Sequence, residues 1–102
     1  MKSELILSVF KDELERTKRL ISRYESEAEN LPKGSVFKRK IGNNEYFYLN
    51  YREGKKVISK FLGKAESFDA AELREKIARR KELEKLLKKL HSEQKQLEKE
   101  LK

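Results

Sequence analysis

A chain of 102 residues with 43% charged and 36% hydrophobic side chains has material for one domain but little for a deep globular core. The absence of cysteine excludes disulfides and thiolate metal sites, and the longest early apolar run, Leu5-Ile6-Leu7, falls far short of a signal-peptide core or a membrane span. The formal net charge of +8 is concentrated: residues 33–64 hold nine basic and two acidic side chains, while the segments on either side are nearly balanced.

Residues 3–30 read as one helix. Leu7, Phe10, Leu14, Thr17, Ile21, Tyr24, Ala28 and Leu31 recur at alternating steps of three and four, a heptad seam, while Lys11, Asp12, Glu13, Glu15, Arg16, Lys18 and Arg19 fill the solvated faces. The sequence Asn30-Leu31-Pro32-Lys33-Gly34 ends it, because a residue before proline avoids helical geometry and glycine permits a sharp exit.

Three short segments follow, Ser35–Ile41, Glu45–Tyr51 and Lys55–Leu62, rich in β-branched and aromatic residues. Gly42-Asn43-Asn44 and Arg52-Glu53-Gly54 separate them and have hairpin-turn chemistry, so a three-stranded antiparallel meander is expected, with Gly63 ending its last strand. Within it, the alternation of strand side chains predicts Phe47, Leu49, Val57 and Phe61 toward the helices and Tyr46 and Tyr48 toward solvent.

Residues 70–101 read as a second helix. Asp69 with Glu72 forms a capping box, Ser67 being the alternative cap. Its apolar positions are Ala70, Leu73, Ile77, Leu83, Leu87, Leu90, Leu97 and Leu101, with Gln94 as a polar member; between Ile77 and Leu83 the register breaks, and Arg80 stands where an apolar residue is expected, which predicts a local shift in packing. The fold class is therefore α+β: two long helices forming an antiparallel coiled-coil-like hairpin, with the β-meander between them, over a single domain spanning 1–102. The seam residues Leu7, Phe10, Leu14, Ile21, Tyr24, Leu73, Ile77, Leu83, Leu87 and Leu90 bind the helices to each other or to a partner. Leu5, Ile6, Val9, Leu20 and Leu86 are surplus apolar positions that a homodimer or another protein would cover.

The middle third carries the functional signal. Lys38, Arg39, Lys40, Arg52, Lys55, Lys56 and Lys60 surround Tyr46 and Tyr48, and this combination suits nucleic acid: cations neutralise phosphates and release counterions, and tyrosines stack on unpaired bases or pack on sugar. A small sheet also fits the duplex major groove, where Arg52, Asn50 or Asn43 would reach base edges. A plainer origin for the same composition is a half-exposed sheet with lysines guarding its edges.

The stretch "LPKGSVFKRKIGNNEYFYLNYREGKKVISKFLGK" resembles small bacterial and mobile-element proteins that share Leu-Pro-x-Gly-Ser, Tyr-x-Tyr-Leu-x-Tyr-Arg-x-Gly-x-Lys-Val and a Gly-Lys close; here these are Leu31, Pro32, Gly34, Ser35, Tyr46, Tyr48, Leu49, Tyr51, Arg52, Gly54, Lys56, Val57, Gly63 and Lys64. A similar element stands near the start of some transposases. The resemblance covers about a third of the chain and implies a mobile-element or DNA-associated context without an activity to carry over. The three-strands-then-helix plan is shared with arm-binding domains of some integrases, as an analogy of fold.

No enzyme is expected. His91 is the single histidine and lies between Leu90 and Ser92 on a charged helix; no glycine-rich phosphate loop or nucleophile elbow is present, and the carboxylates are spaced as helix partners of lysines, as in Glu84–Lys88 and Glu98–Lys102. The sequence thus predicts a soluble, cytoplasmic, non-enzymatic protein without cofactor or metal, binding DNA or RNA. The alternative is a protein-binding inhibitor, such as a phage or anti-CRISPR-like block on a nuclease, docking through its helices and basic tip.

Overall fold

The computed structural model describes residues 3–102, in the order α1 (Glu4–Glu29), β1 (Ser35–Ile41), β2 (Asn44–Glu53), β3 (Lys56–Lys64) and α2 (Ala70–Glu100). The fold is α+β, two helices flanking a three-stranded antiparallel sheet. The chain divides into two compact units, one of α1 with Glu82–Lys102 and one of Leu31–Lys81.

Both helix starts are capped by side chains. Ser3 Oγ accepts the Ile6 backbone N–H at 3.2 Å, and Asp69 Oδ1 accepts that of Glu72 at 3.4 Å. Asp69 is thus the cap, while the Ser67 hydroxyl turns back to donate to the Lys64 carbonyl. Each such cap satisfies one of the donors that a helix leaves orphaned at its first turn. At the other end of α1, the Asn30 backbone N–H donates to the Glu27 carbonyl at 3.2 Å and its side-chain amide to Ser26 at 3.2 Å.

In the helical unit, the α1 seam buries Thr17, Ile21 and Ala28, and α2 contributes Leu83, which is fully buried. Leu7, Phe10, Leu14 and Tyr24 on α1 and Leu87 and Leu90 on α2 are half-buried beside them. The helices run antiparallel, so Ile21 and Ser22 of α1 share a shallow cleft with His91 and Gln94 of α2. Leu73 and Ile77, expected in this seam, belong instead to the sheet-bearing unit. The register break between Ile77 and Leu83 is where α2 passes from one unit to the other, at Lys81/Glu82. Of the surplus apolar residues, Leu5, Ile6 and Val9 are exposed, whereas Leu20 and Leu86 are half-buried.

The sheet has order β1-β2-β3, with both pairs antiparallel. Its connections are two-residue turns, Gly42-Asn43 and Gly54-Lys55, each one residue shorter than the sequence reading placed them. Gly42 (φ 63°) and Gly54 (φ 62°) take the first central position and supply the positive φ of a hairpin turn that matches strand twist. Arg52 and Glu53 are consequently part of β2, and β3 runs through Gly63 to Lys64.

That single residue matters because strand side chains alternate. A one-residue change in turn length moves every side chain of the next strand to the opposite face. The observed register pairs Phe37 with Tyr48 and Tyr48 with Phe61, and Arg52 with Val57. Val57 and Phe61 therefore lie on the tyrosine face, 64% and 56% exposed, and do not point toward the helices as expected. Phe47 and Leu49 are buried on the other face, as expected.

Candidate nucleic-acid interface

The two faces of the sheet differ in kind. The covered face centres on Phe47 and Leu49. Phe47 meets Phe68 of the β3–α2 linker, with ring centroids 6.2 Å apart, and the Arg74 guanidinium of α2 lies 5.6 Å from its ring. Lys38 Nζ approaches the same ring to 5.5 Å and also pairs with Glu45 at 3.7 Å. Cation and ring attract through the ring quadrupole, on the order of 0.5–1 kcal/mol where solvent reaches the pair. Ala70 and Ile77 of α2 are buried in the same unit.

The other face is laid out in rows by the strand pairing. One row across the three strands is Phe37, Tyr48 and Phe61; the row on one side of it is Arg39, Tyr46 and Lys64; the row on the other side is Ser35, Asn50 and Ser59; beyond that come Arg52 and Val57. Successive rows are roughly 7 Å apart along the strands. A β-bulge lies between Phe47 and Tyr48, which is why Gly63 pairs with Phe47 while Phe61 pairs with Tyr48.

Four aromatic rings on this face touch in a chain. Phe37 stacks on Tyr48 at 5.6 Å with 22° between planes, Tyr48 meets Phe61 edge-on at 5.6 Å, and Phe61 meets Tyr46 at 5.8 Å. Such pairs add about 0.5–1.5 kcal/mol each beyond the area they bury. They join the four rings into one continuous aromatic surface. The tyrosines are half-buried by their neighbours, while Phe61, Val57 and Ile41 remain largely exposed. Asn50 Oδ1 is buried within this face and accepts no hydrogen bond among the described residues.

The cations expected to form one patch are divided between the faces. Arg39 and Arg52 stand with Tyr46 and Tyr48, and Lys64, which sequence reasoning left out, joins them opposite Tyr46. Lys38, Lys40, Lys56 and Lys60 share the face of Phe47 and Leu49, and Lys55 sits in the second turn. The physical cause is the turn length: turns one residue longer would have put Lys38 and Lys40 beside the tyrosines. Among the described residues, Lys38 alone of the cations in 33–64 forms an ion pair within 4 Å, while the strand pairing sets Glu45 opposite Lys40 and Glu53 opposite Lys56 and sets no carboxylate opposite Arg39, Arg52, Lys60 or Lys64. With Glu45 and Glu53 the only acids in that segment, the sheet is a strongly positive surface.

Among the described residues no group of three His, Cys, Asp or Glu side chains could hold a metal ion. His91 is an exposed residue of α2. No described helix is long and apolar enough to cross a membrane.

No curated protein and no solved structure matches the chain. A family match does, over residues 10–75, which takes in most of α1, the whole sheet and the first turns of α2. With well over half of its length matched, the chain belongs to the family described as "Domain of unknown function (DUF6788)".

Proposed function

We propose that this protein is a non-enzymatic, cytoplasmic nucleic-acid-binding module, and that the sheet is the part that binds. The observation that carries the reading is the coincidence, on one small sheet, of a continuous aromatic face with cations that form no ion pair among the described residues: Arg39, Arg52 and Lys64 stand among Phe37, Tyr46, Tyr48 and Phe61. Phosphates are held by cations and bases or sugars by rings, so each half of the surface has a use in a single ligand. The resemblance of residues 31–64 to mobile-element proteins supports the same setting.

The test is fluorescence anisotropy with labelled random duplex and single strands at ~100 mM salt, where weak phosphate contacts fade. Binding of at least one of these, with affinity falling linearly in log salt, is the expected result. Reversal of Arg39 and Arg52, which stand on the tyrosine face, to Glu is expected to weaken it and flatten that slope. No binding to any nucleic acid at that salt overturns the reading.

One observation favours a second reading, the protein-binding inhibitor. Leu5, Ile6 and Val9 expose 76%, 48% and 56% of their surface at the start of α1, on neighbouring turns of one helix. A partner protein docking there, with the basic sheet beside an acidic or nucleic-acid-binding surface, accounts for both features. Co-purification of a defined host protein that Leu5→Lys with Val9→Lys releases is the result that would establish it.

A further inference from the structure

Resting on the nucleic-acid reading above, we propose that the ligand is a strand with unpaired bases, and that it lies on the face carrying Phe37, Tyr48 and Phe61. The bases stack on Tyr48 and Phe61, and the phosphates meet Arg39, Lys64 and Arg52.

The choice of single strand over duplex follows from what this face exposes. Phe61, Val57 and Ile41 are 56%, 64% and 51% exposed, all on the tyrosine side of the sheet. A duplex presents its sugar–phosphate backbone and the edges of its bases; the flat faces of those bases are already stacked on one another. Against such a ligand the exposed ring of Phe61 finds no flat base face to stack on. An unpaired base offers a π-face, and aromatic side chains accept it with little regard for sequence.

The order of the rows fits the anatomy of a nucleotide. The aromatic row is bounded on one side by the row holding Arg39 and Lys64 and on the other by Ser35, Asn50 and Ser59, with Arg52 in the row after that. A base on Tyr48 or Phe61 thus has cations within one or two rows for its phosphates. It has hydroxyl and amide groups one row away for its edge or its sugar. Ser35 and Ser59 are exposed. The lysines of the covered face do not have this arrangement, since the Phe47 ring beside Lys38 is buried.

The experiment is fluorescence anisotropy on the full-length protein with oligo(dT), oligo(U) and a mixed-sequence duplex, each about 12 nucleotides long to exceed a small sheet's footprint. Phe61→Ala and Tyr48→Leu remove stacking surface without changing charge, and circular dichroism confirms that each variant folds; Phe61 is exposed enough for its variant to remain folded. Tighter binding of a single-stranded oligomer than of the duplex is expected. Phe61→Ala should weaken single-strand binding by roughly fivefold or more and leave duplex binding within about twofold, with the salt slope unchanged. Preference for the duplex, or single-strand binding that neither variant alters, overturns this inference while leaving the nucleic-acid reading intact. Failure to bind any of the three oligomers overturns both.

Discussion

Arg80 Nη1 donates a hydrogen bond to the Leu31 carbonyl oxygen at 2.6 Å, tying the third turn of α2 to the segment that leaves α1. An arginine in an apolar position of a heptad looks like a defect in the seam. It is a tether inside the sheet-bearing unit, half-buried, bonding to a carbonyl next to a proline that cannot donate to anything itself.

Replacing Arg80 with Met keeps the apolar stem but leaves that carbonyl without its charged donor. The expected cost is about 1–3 kcal/mol of unfolding free energy, read from urea melts followed by circular dichroism. Arg80→Lys should recover part of it. A Met variant as stable as the parent would show that the bond contributes nothing.

Gly34 lies against the backbone of Asn50, and a Cβ there would collide with the Asn50 carbonyl oxygen as well as approach Tyr51 Cβ to 3.0 Å. Its φ of 113° is also one that side-chain-bearing residues rarely adopt. Gly34→Ala should therefore destabilise by more than about 2 kcal/mol. Gly42→Ala, where nothing lies within 4 Å, meets only the cost of its positive φ, roughly 1 kcal/mol. Equal effects of the two substitutions in thermal melts would contradict the close approach.

The two faces of the sheet make opposite stability predictions for the same chemical change. Phe47→Ala removes a buried ring and should cost about 3–5 kcal/mol, enough to unfold much of the protein. Phe61→Ala removes an exposed ring and its contacts to Tyr46 and Tyr48, on the order of 1 kcal/mol. The ratio of these two effects, measured by denaturant titration, checks the register of β3 against β2.

A charge-matched comparison tests which face meets phosphate. Arg39→Glu with Arg52→Glu and Lys38→Glu with Lys60→Glu change net charge equally, but the first pair sits on the tyrosine face and the second on the covered one. The first double variant should lower the slope of log affinity against log salt by roughly 1.5–2 and the second by less than half of that. Equal slopes would place the contact at the whole basic surface without regard to face.

Asn50 Oδ1 gives a further test. A buried acceptor without a partner costs stability, so Asn50→Val, which also suits a central strand, should raise the melting temperature by a few degrees, corresponding to roughly 1 kcal/mol. If the Ser35–Asn50–Ser59 row serves a ligand, the same variant weakens binding. A lower melting temperature would show that the amide is held by bonds to water or backbone.

The helices were legible in the sequence because a seam repeats: one misread residue among Leu7, Phe10, Leu14, Thr17, Ile21 and Tyr24 leaves the period visible. The existence of three strands was legible for a similar reason, since the glycines at 42 and 54 mark the turns. The faces were not, because their assignment depends on a parity. Reading Arg52-Glu53-Gly54 as the turn, where Gly54-Lys55 is used, sends Val57 and Phe61 to the wrong side. The signal that would have found it was present: glycine is favoured at the first central position of a two-residue turn, and both glycines are followed by a residue that tolerates the second. The division of α2 between two units showed only as a flaw in spacing around Arg80.

The two-residue turns have a consequence for how this surface can vary through inheritance. Substitutions at Gly42-Asn43 or Gly54-Lys55 trade stability in small increments, but an in-frame insertion of one codon there would turn an outer strand over. At the first turn it would exchange Phe37 and Arg39 for Val36, Lys38 and Lys40 beside the tyrosines; at the second it would exchange Val57 and Phe61 for Lys56, Ile58 and Lys60. A relative that keeps every residue of these strands but differs by one in hairpin length would present another surface altogether. Counting turn residues is therefore a sharper guide to shared binding behaviour among such chains than scoring the similarity of their strands.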